Sequence, residues 1–196
     1  MEEFEVDLTP MHYDAPPPSG PTAEDFLIAK SRTVTMVGEI DEWVARKVMF
    51  SLHSLADATG NPITLIINSG GGEVFEAHGM YDTIMSLRRE GAVINGRVHG
   101  YAMSAAILPL MACTTRTMTN SGVLMIHGLR EIRAGDVRNM EADQDCMNKT
   151  VEIQARMLAE RTHRDHAFWK ELLRDQLPRY YIGAEALEAG LVDSIE

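Results

Sequence analysis

Strand-like and helix-like segments alternate along this chain, and the alternation restricts the fold more than any other feature of the sequence. The run "TVTMVGEI" (33–40) is β-rich, and "ITLIIN" (63–68) is a near-continuous apolar strand, typical of a parallel sheet covered on both faces. A third strand is predicted in "AVINGRVHG" (92–100). The helices between the strands carry apolar residues at spacings of three and four. This order predicts an α/β protein with a mostly parallel sheet.

The rest of the chain is predicted to hold shorter strands and two further long helices. Strands are expected at "RTMT" and "GVLMIHG", and helices from about 136 to 160 and from about 165 to 177. Residues 1–23 include "YDAPPPSGPT", whose prolines exclude a helix or a central strand, so we expect a flexible N-terminal arm. Residues 24–196 are expected to form a single domain.

Composition and charge argue against several classes of function. The formal net charge of −11 disfavours nucleic acid or an anionic membrane as a partner, because both are bound by clustered Lys and Arg. No apolar run approaches the roughly 20 residues that span a bilayer, and "MEEFEVDLTP" is unlike a secretory signal. Cys113 and Cys146 are too few for a disulfide framework and are not spaced as metal ligands. We therefore expect a cytoplasmic protein with neither a metal nor another cofactor.

Three consecutive glycines, residues 70–72, stand between the second strand and the following helix. Glycines in such a turn let the backbone direct its N–H groups toward a negative charge. The stretch matches neither a P-loop nor the dinucleotide-binding fingerprint. Taken alone, it also fits an ordinary tight turn from strand to helix.

Ser104 and His127 are the residues best placed for chemistry. Ser104 stands at a predicted helix start directly after a strand, where α/β enzymes present nucleophiles and where the helix dipole stabilises negative charge. His127 ends an apolar strand and could be the general base that a serine hydroxyl needs. A helix-capping serine and a core histidine are the alternatives that involve no chemistry. His99 is the other candidate for the base.

Four segments, in order along the chain, resemble the ClpP family, the proteolytic subunits of Clp proteases. "LIINSGGGEVFEAHGMYDTI" resembles the family's Ile-Asn-Ser-Pro-Gly-Gly segment, and "GYAMSAA" resembles its Gly-x-Ala-x-Ser nucleophile motif. "TNSGVLMIHG" and "GAEALEAGLVDSI" resemble its histidine segment and its closing segment. The resemblance implies a ClpP/crotonase-like fold of stacked βαβ units with a protruding strand-helix handle, here at about 128–162.

The same resemblance implies a serine endopeptidase and a role for each matching residue. Ser104 would be the nucleophile, His127 the general base, and the N–H groups of Gly71 and Ala105 the oxyanion hole. The polypeptide substrates would be cleaved inside a homo-oligomer of heptameric rings stacked in pairs. A Clp-type AAA+ ATPase would be the partner, although the first 23 residues are unlike the family's axial-loop segment.

The chain departs from the family at the third residue of the triad, which is an aspartate shortly before the closing segment. The ungapped match falls near Arg179, and Asp175 becomes the candidate if "QLP" is a small insertion. Pro109, inside the helix predicted after Ser104, is a second departure, because an interior proline kinks a helix. Divergence on this scale would suit a phage-encoded member of the family.

Two other functions remain open at this stage. Arg179 in the place of the acid suggests a non-catalytic structural subunit of a Clp-type ring. A crotonase-type acyl-CoA enzyme would share the fold and an oxyanion hole of backbone amides, with Glu73 as its acid/base residue. That second function would leave the Ser104–His127 pair unexplained.

Overall fold

The computed structural model of the chain describes residues 23–56, 60–129, 137–175 and 177–196, without the side chains of 23–26 and 137–142. Residues 1–22 of the predicted N-terminal arm and residues 130–136 of the predicted handle lie outside these residues. The helices are α1 (Ala23–Ser31), α2 (Glu42–Leu55), α3 (Val74–Arg89), α4 (Ile107–Ala112), α5 (Val137–Ala159), α6 (His166–Asp175) and α7 (Gly183–Glu188). The strands are β1 (Thr33–Ile40), β2 (Ile63–Gly72), β3 (Ile94–Met103), β4 (Thr115–Met118), β5 (Val123–Ile126), β6 (Arg179–Ile182) and β7 (Ser194–Ile195).

These strands form one sheet, which is parallel except at β6. The main path runs β1-β2-β3-β4-β7, while β5 pairs with β3 and β6 pairs antiparallel with β5. β4 lies beside the first half of β3, whereas β5 lies beside the last three residues of β3, Tyr101 to Met103. The long strand β3 therefore has two successive neighbours, and the second brings the residues after β5 next to those after β3.

Helix α2 begins after a capping residue, and α2 and α3 each bury an apolar face in the core. The side chain of Asp41 caps α2 by accepting a hydrogen bond from the N–H of Val44 at 2.8 Å. Val48 and Leu52 on α2, with Met80 and Ile84 on α3, are fully buried in the core. The predicted alternation of strands and helices and the mostly parallel sheet are confirmed.

The segment after β3 is a short 3-10 turn, Ser104–Ala106, followed by α4. Pro109 is the third residue of α4 and is buried. In the first turn of an α-helix a proline is tolerated, because the N–H that it lacks would have no partner within the helix. The proline is therefore accommodated by a helix that begins three residues later than the sequence pattern predicts.

The sequence pattern does not predict α1 or β6. α1 lacks a regular apolar stripe, and Ile28 packs against the core from it. β6 is mostly exposed, so its sequence carries no alternation of apolar and polar residues. It is a strand because its backbone pairs with β5 along its whole length, from Arg179 opposite Ile126 to Ile182 opposite Val123.

Arg116 is a buried cation that connects β4 to segments far along the chain. Its Nη2 pairs with Oδ1 of Asp193 at 2.5 Å, and its Nη1 donates to the carbonyl oxygens of Arg161 at 2.7 Å and Gly190 at 2.8 Å. The N–H of Arg116 also donates to the Asp193 carboxylate. A buried guanidinium is tolerated only with such partners, so this group fixes the segment before β7 against the sheet.

We expect Arg116→Met to lower the free energy of unfolding by about 3 kcal/mol, because it leaves the carbonyl groups of Arg161 and Gly190 without their donor and leaves Asp193 with only the backbone N–H of residue 116. Arg46→Met is the matched control, since Arg46 forms an exposed ion pair with Glu42 that should contribute less than about 1 kcal/mol. Urea denaturation at one fixed protein concentration measures both variants. Equal effects would show that Arg116 has no special structural role.

Candidate active site

The carboxyl ends of β2, β3 and β5 lie side by side, which is where parallel sheets form their functional crevice. The pairing of β2 with β3 aligns Ser69 with Ala102. Two residues further along the two strands come Gly71 and Ser104. Residues 70–72, the predicted glycine turn, are the last residues of β2 and not a separate turn, and the sheet register brings them to the predicted nucleophile.

Gly71 packs so closely against Ser104 that a side chain would not fit between them. A Cβ on Gly71 would lie 2.7 Å from the carbonyl oxygen of Met103, 2.7 Å from Cβ of Ser104 and 3.0 Å from the N of Ala105. The φ angle of Gly71 is +96°, which also favours glycine. The glycine turn thus contacts both the nucleophile and the backbone N–H that follows it.

The backbone of Ser104 is in an unusual conformation. Its φ angle is +55°, in the left-handed region, where residues other than glycine are uncommon. The residue that caps the 3-10 turn is Met103, and no side chain of the described residues caps the turn with a hydrogen bond. Ser104 is therefore not a helix-capping serine. A conformation of this kind costs on the order of 1–3 kcal/mol, and such strain is concentrated at functional sites.

His127 directly follows β5 and lies beside the end of β3. The register pairs Met103 with Met125, so the residues after these two strands are neighbours. Nδ1 of His127 contacts the carbonyl oxygen of Gly128. A proton on Nδ1 donated to this carbonyl leaves Nε2 as an acceptor, which is the tautomer that a general base needs.

Ser104, Ala105 and His127 line one cavity of about 340 Å³. Among the described side chains, no hydrogen bond joins the Ser104 hydroxyl to the His127 imidazole, and such bonds are often long before substrate binds. Glu73, at the start of α3, also lines the cavity. The apolar part of the wall consists of Ile107, Leu108, Leu129, Met147, Leu158 and Leu173.

Thr150 and Gln154 are buried polar residues of the cavity wall that sequence reasoning missed. The Thr150 hydroxyl donates to the carbonyl of Cys146, and Nε2 of Gln154 lies 3.4 Å from Nε2 of His78. Burial lowers the pKa of His78, and this effect is larger than the opposite effect of the negative charge of Asp82. The neutral imidazole of His78 can therefore accept a hydrogen bond from the Gln154 amide. The spacing of four residues between Thr150 and Gln154 places both on one face of α5, but it does not show what that face packs against.

Asp175, the predicted third residue of the triad, lies at the C-terminal end of α6 and does not line the cavity. Its Oδ2 accepts a hydrogen bond from Nη2 of Arg179 at 3.1 Å, and both side chains are exposed. Arg179 stands opposite Ile126, the residue before His127. Within the described part of the chain, no carboxylate is hydrogen-bonded to His127.

The described residues contain no group of three or more His, Cys, Asp or Glu side chains that could hold a metal ion. None of the helices within the same ranges is long and apolar enough to cross a membrane.

Comparison with known proteins identifies the family. The sequence pattern of the family described as Clp protease matches residues 24–196. This chain belongs to the Clp protease family. It is 29% identical over 189 residues to the ATP-dependent Clp protease proteolytic subunit 3 of Rhizobium meliloti (strain 1021), a match that covers 91% of this chain and 89% of that protein.

A solved structure supports the same assignment. The chain is similar to a ClpP1 mutant from Listeria monocytogenes, with a TM-score of 0.74 and 25% sequence identity over 88% of this chain and 95% of the other. The expected membership of the ClpP family and the expected ClpP-like α/β fold are thereby confirmed. The modest identities make this chain a divergent member of a family of peptidases.

We expect Gly71→Ala to reduce stability more than Gly91→Ala does. Both glycines have φ near +100°, so both variants should lose about 1–2 kcal/mol from the strained backbone. Gly91 has open space around the position of a Cβ, whereas Gly71 meets Met103 and Ser104 there. Gly71→Ala should therefore lose a further 1–3 kcal/mol or so from overpacking. Chemical denaturation measures the difference, and equal losses would contradict the close contact.

The two cysteines should differ in reactivity. Cys113 is buried and donates to the carbonyl of Pro109, and burial raises the pKa of its thiol to about 12, whereas Cys146 is exposed and lines the cavity. At pH 8 a maleimide should modify Cys146 and leave Cys113 unmodified, because almost no Cys113 thiolate exists there. Mass spectrometry of the native and the urea-unfolded protein measures this. Native Cys146→Ser protein should remain unmodified, and a Cys113 adduct on it would refute the assignment.

Proposed function

We propose that this chain is a serine endopeptidase of the ClpP type, with Ser104 as nucleophile and His127 as general base. The observation that carries the proposal is the meeting of Gly71, Ser104 and His127 at three adjacent strand ends, with Ser104 and His127 lining one cavity. The left-handed backbone of Ser104 supports the same role. Membership of the Clp protease family supports peptide-bond hydrolysis as the reaction.

The proposed reaction begins when Nε2 of His127 takes the proton of the Ser104 hydroxyl, as the oxygen attacks the scissile carbonyl carbon. The carbonyl oxygen becomes negatively charged and is stabilised by the N–H groups of Gly71 and Ala105. The protonated His127 then gives its proton to the leaving amine, and the peptide bond breaks. A water molecule, activated by the same imidazole, hydrolyses the acyl-enzyme and regenerates Ser104.

The third residue of such a triad fixes the tautomer of the histidine and stabilises its imidazolium. In this chain the two tasks fall to different groups. The carbonyl of Gly128 can fix the tautomer of His127, but it has no charge with which to stabilise the imidazolium. Asp175 stays the predicted acid, and it must leave Arg179 to serve His127. Its contribution is therefore the part of the proposal that most needs a direct test.

We further propose that the chain acts on polypeptides inside a self-compartmentalised homo-oligomer of heptameric rings in the cytoplasm, with a Clp-type AAA+ ATPase as the partner. Exposed large apolar side chains support self-association: Trp43 and Phe50 on α2, and Tyr180 and Ile182 on β6. Exposed apolar surface of this kind is typical of protein–protein interfaces. Family membership supports ring assembly as the form that this association takes.

Labelling with a fluorophosphonate, followed by mass spectrometry, tests the proposed nucleophile. We expect one adduct, on Ser104, with labelling abolished in Ser104→Ala and reduced at least about 10³-fold in His127→Ala, because the hydroxyl then has no base. The assembled protein is used, and its oligomeric state is checked for each variant. An adduct on another residue, or full labelling of His127→Ala, would refute the assignment.

Hydrolysis of a peptide that the wild-type protein cleaves tests Asp175. If its carboxylate serves His127, Asp175→Asn should lose about 10⁴ in turnover. Asp145→Asn is the matched control, because Asp145 forms a similar exposed ion pair with Lys149 four residues later. Equal behaviour of the two variants would show that Asp175 serves only Arg179.

A non-catalytic ring subunit is the second candidate, and the position of Arg179 next to the histidine strand favours it. The expected signature is an intact ring that never reacts with the fluorophosphonate and binds a catalytically active subunit. The retained Ser104 and its strained backbone favour the peptidase instead.

A further inference from the structure

Ser69 is a buried hydroxyl that the proposed mechanism does not use. It lies within β2, two residues before Gly71, and is 0% exposed. Its Oγ donates to the carbonyl oxygen of Gly38 at 2.6 Å and accepts a hydrogen bond from the N–H of Gly71 at 3.2 Å. Since it acts both as donor and as acceptor, this hydroxyl connects β1 to the glycine turn in one defined orientation.

The carbonyl of Gly38 reaches Ser69 because the ladder between β1 and β2 is interrupted at this point. The register shifts between Val37 and Glu39, so that two residues of β2, Ser69 and Gly70, lie opposite the single residue Gly38 of β1. Gly38 has a φ angle of +89°. Bulges of this kind are frequent next to active sites, where they redirect a group of the backbone or a side chain.

Gly71 connects this hydroxyl to the reacting groups. It lies against Cβ of Ser104 and beside the N of Ala105, so a displacement of Gly71 would displace both. The distance of 3.2 Å from its N–H to Ser69 is at the long end for a hydrogen bond. A developing oxyanion is a charged and therefore stronger acceptor, to which this N–H can turn.

We propose that Ser69 is a positioning residue for the oxyanion hole. Its hydroxyl ties the glycine turn to Gly38 of β1, opposite the β2 bulge, and holds the N–H of Gly71 ready for the negative charge that develops on the substrate. Ser69 acts through Gly71 and does not touch the substrate. The inference rests on the proposed function, in which Ser104 is the nucleophile.

The kinetic test compares Ser69→Ala with Ser69→Cys on a peptide that the wild-type protein cleaves. Cysteine fills the space of serine but is a weak hydrogen-bonding group, so it separates packing from hydrogen bonding. We expect both variants to lose about 10²-fold in kcat with KM changed less than about twofold, because the turn is misplaced in the transition state. Ser51→Ala, a change at another buried serine on α2, should behave as wild type.

Hydrogen exchange gives a readout that does not depend on catalysis. Peptides that cover residues 69–72 should exchange their amide hydrogens faster in Ser69→Ala and Ser69→Cys than in the wild type or in Ser51→Ala. Faster exchange would reflect the loss of the acceptor for the N–H of Gly71.

The outcomes separate this inference from the proposed function. If the wild-type protein neither cleaves peptides nor reacts at Ser104, the proposed function fails, and exchange alone decides whether Ser69 orders the turn. If the wild type is active and Ser69→Cys keeps full kcat, the hydroxyl only fills space and the positioning role is overturned. Unchanged exchange in Ser69→Ala would overturn it as well.

Discussion

The contact between Gly71 and Ser104 is the constraint on which the site depends. The proposed nucleophile and the proposed oxyanion donor can lie side by side here because Gly71 has no side chain. On the other side of this contact, Ser104 has a left-handed backbone and begins the 3-10 turn. Once this contact is made, the parallel register of β3 with β5 is enough to bring His127 to the same cavity.

The groups near the His127 imidazole differ from the aspartate that the family resemblance implies at the third position of the triad. A carboxylate beside a histidine fixes the tautomer and stabilises the imidazolium, whereas the Gly128 carbonyl can do only the first of these. The nearest strand carries Arg179, a cation, and Asp175 is bound to it. Among the described residues, Nδ1 of His127 thus contacts a backbone carbonyl, while Asp175 is held in an exposed ion pair with Arg179.

Most of the fold could be predicted from the sequence, because buried strands and amphipathic helices have different periods and most of these elements face the core. α2 and α3 follow the predicted apolar spacings of three and four residues. β6 could not be predicted, since its side chains are mostly exposed and it exists only through backbone pairing with β5. The buried polar pair Thr150 and Gln154 was equally hidden, because their place on the cavity wall depends on how α5 packs.

The sequence by itself determined the family, the alternating architecture and the identity of Ser104, His127 and Gly71 as candidate residues, because short ordered motifs and periodicity are local properties of a chain. Only the tertiary structure decided which of these residues meet. The register between strands brings the first three together, whereas Asp175 pairs with Arg179, four residues away along the chain. The physical reason is that strand register and ion pairing depend on distances in space, and neither spacing nor composition encodes those distances directly.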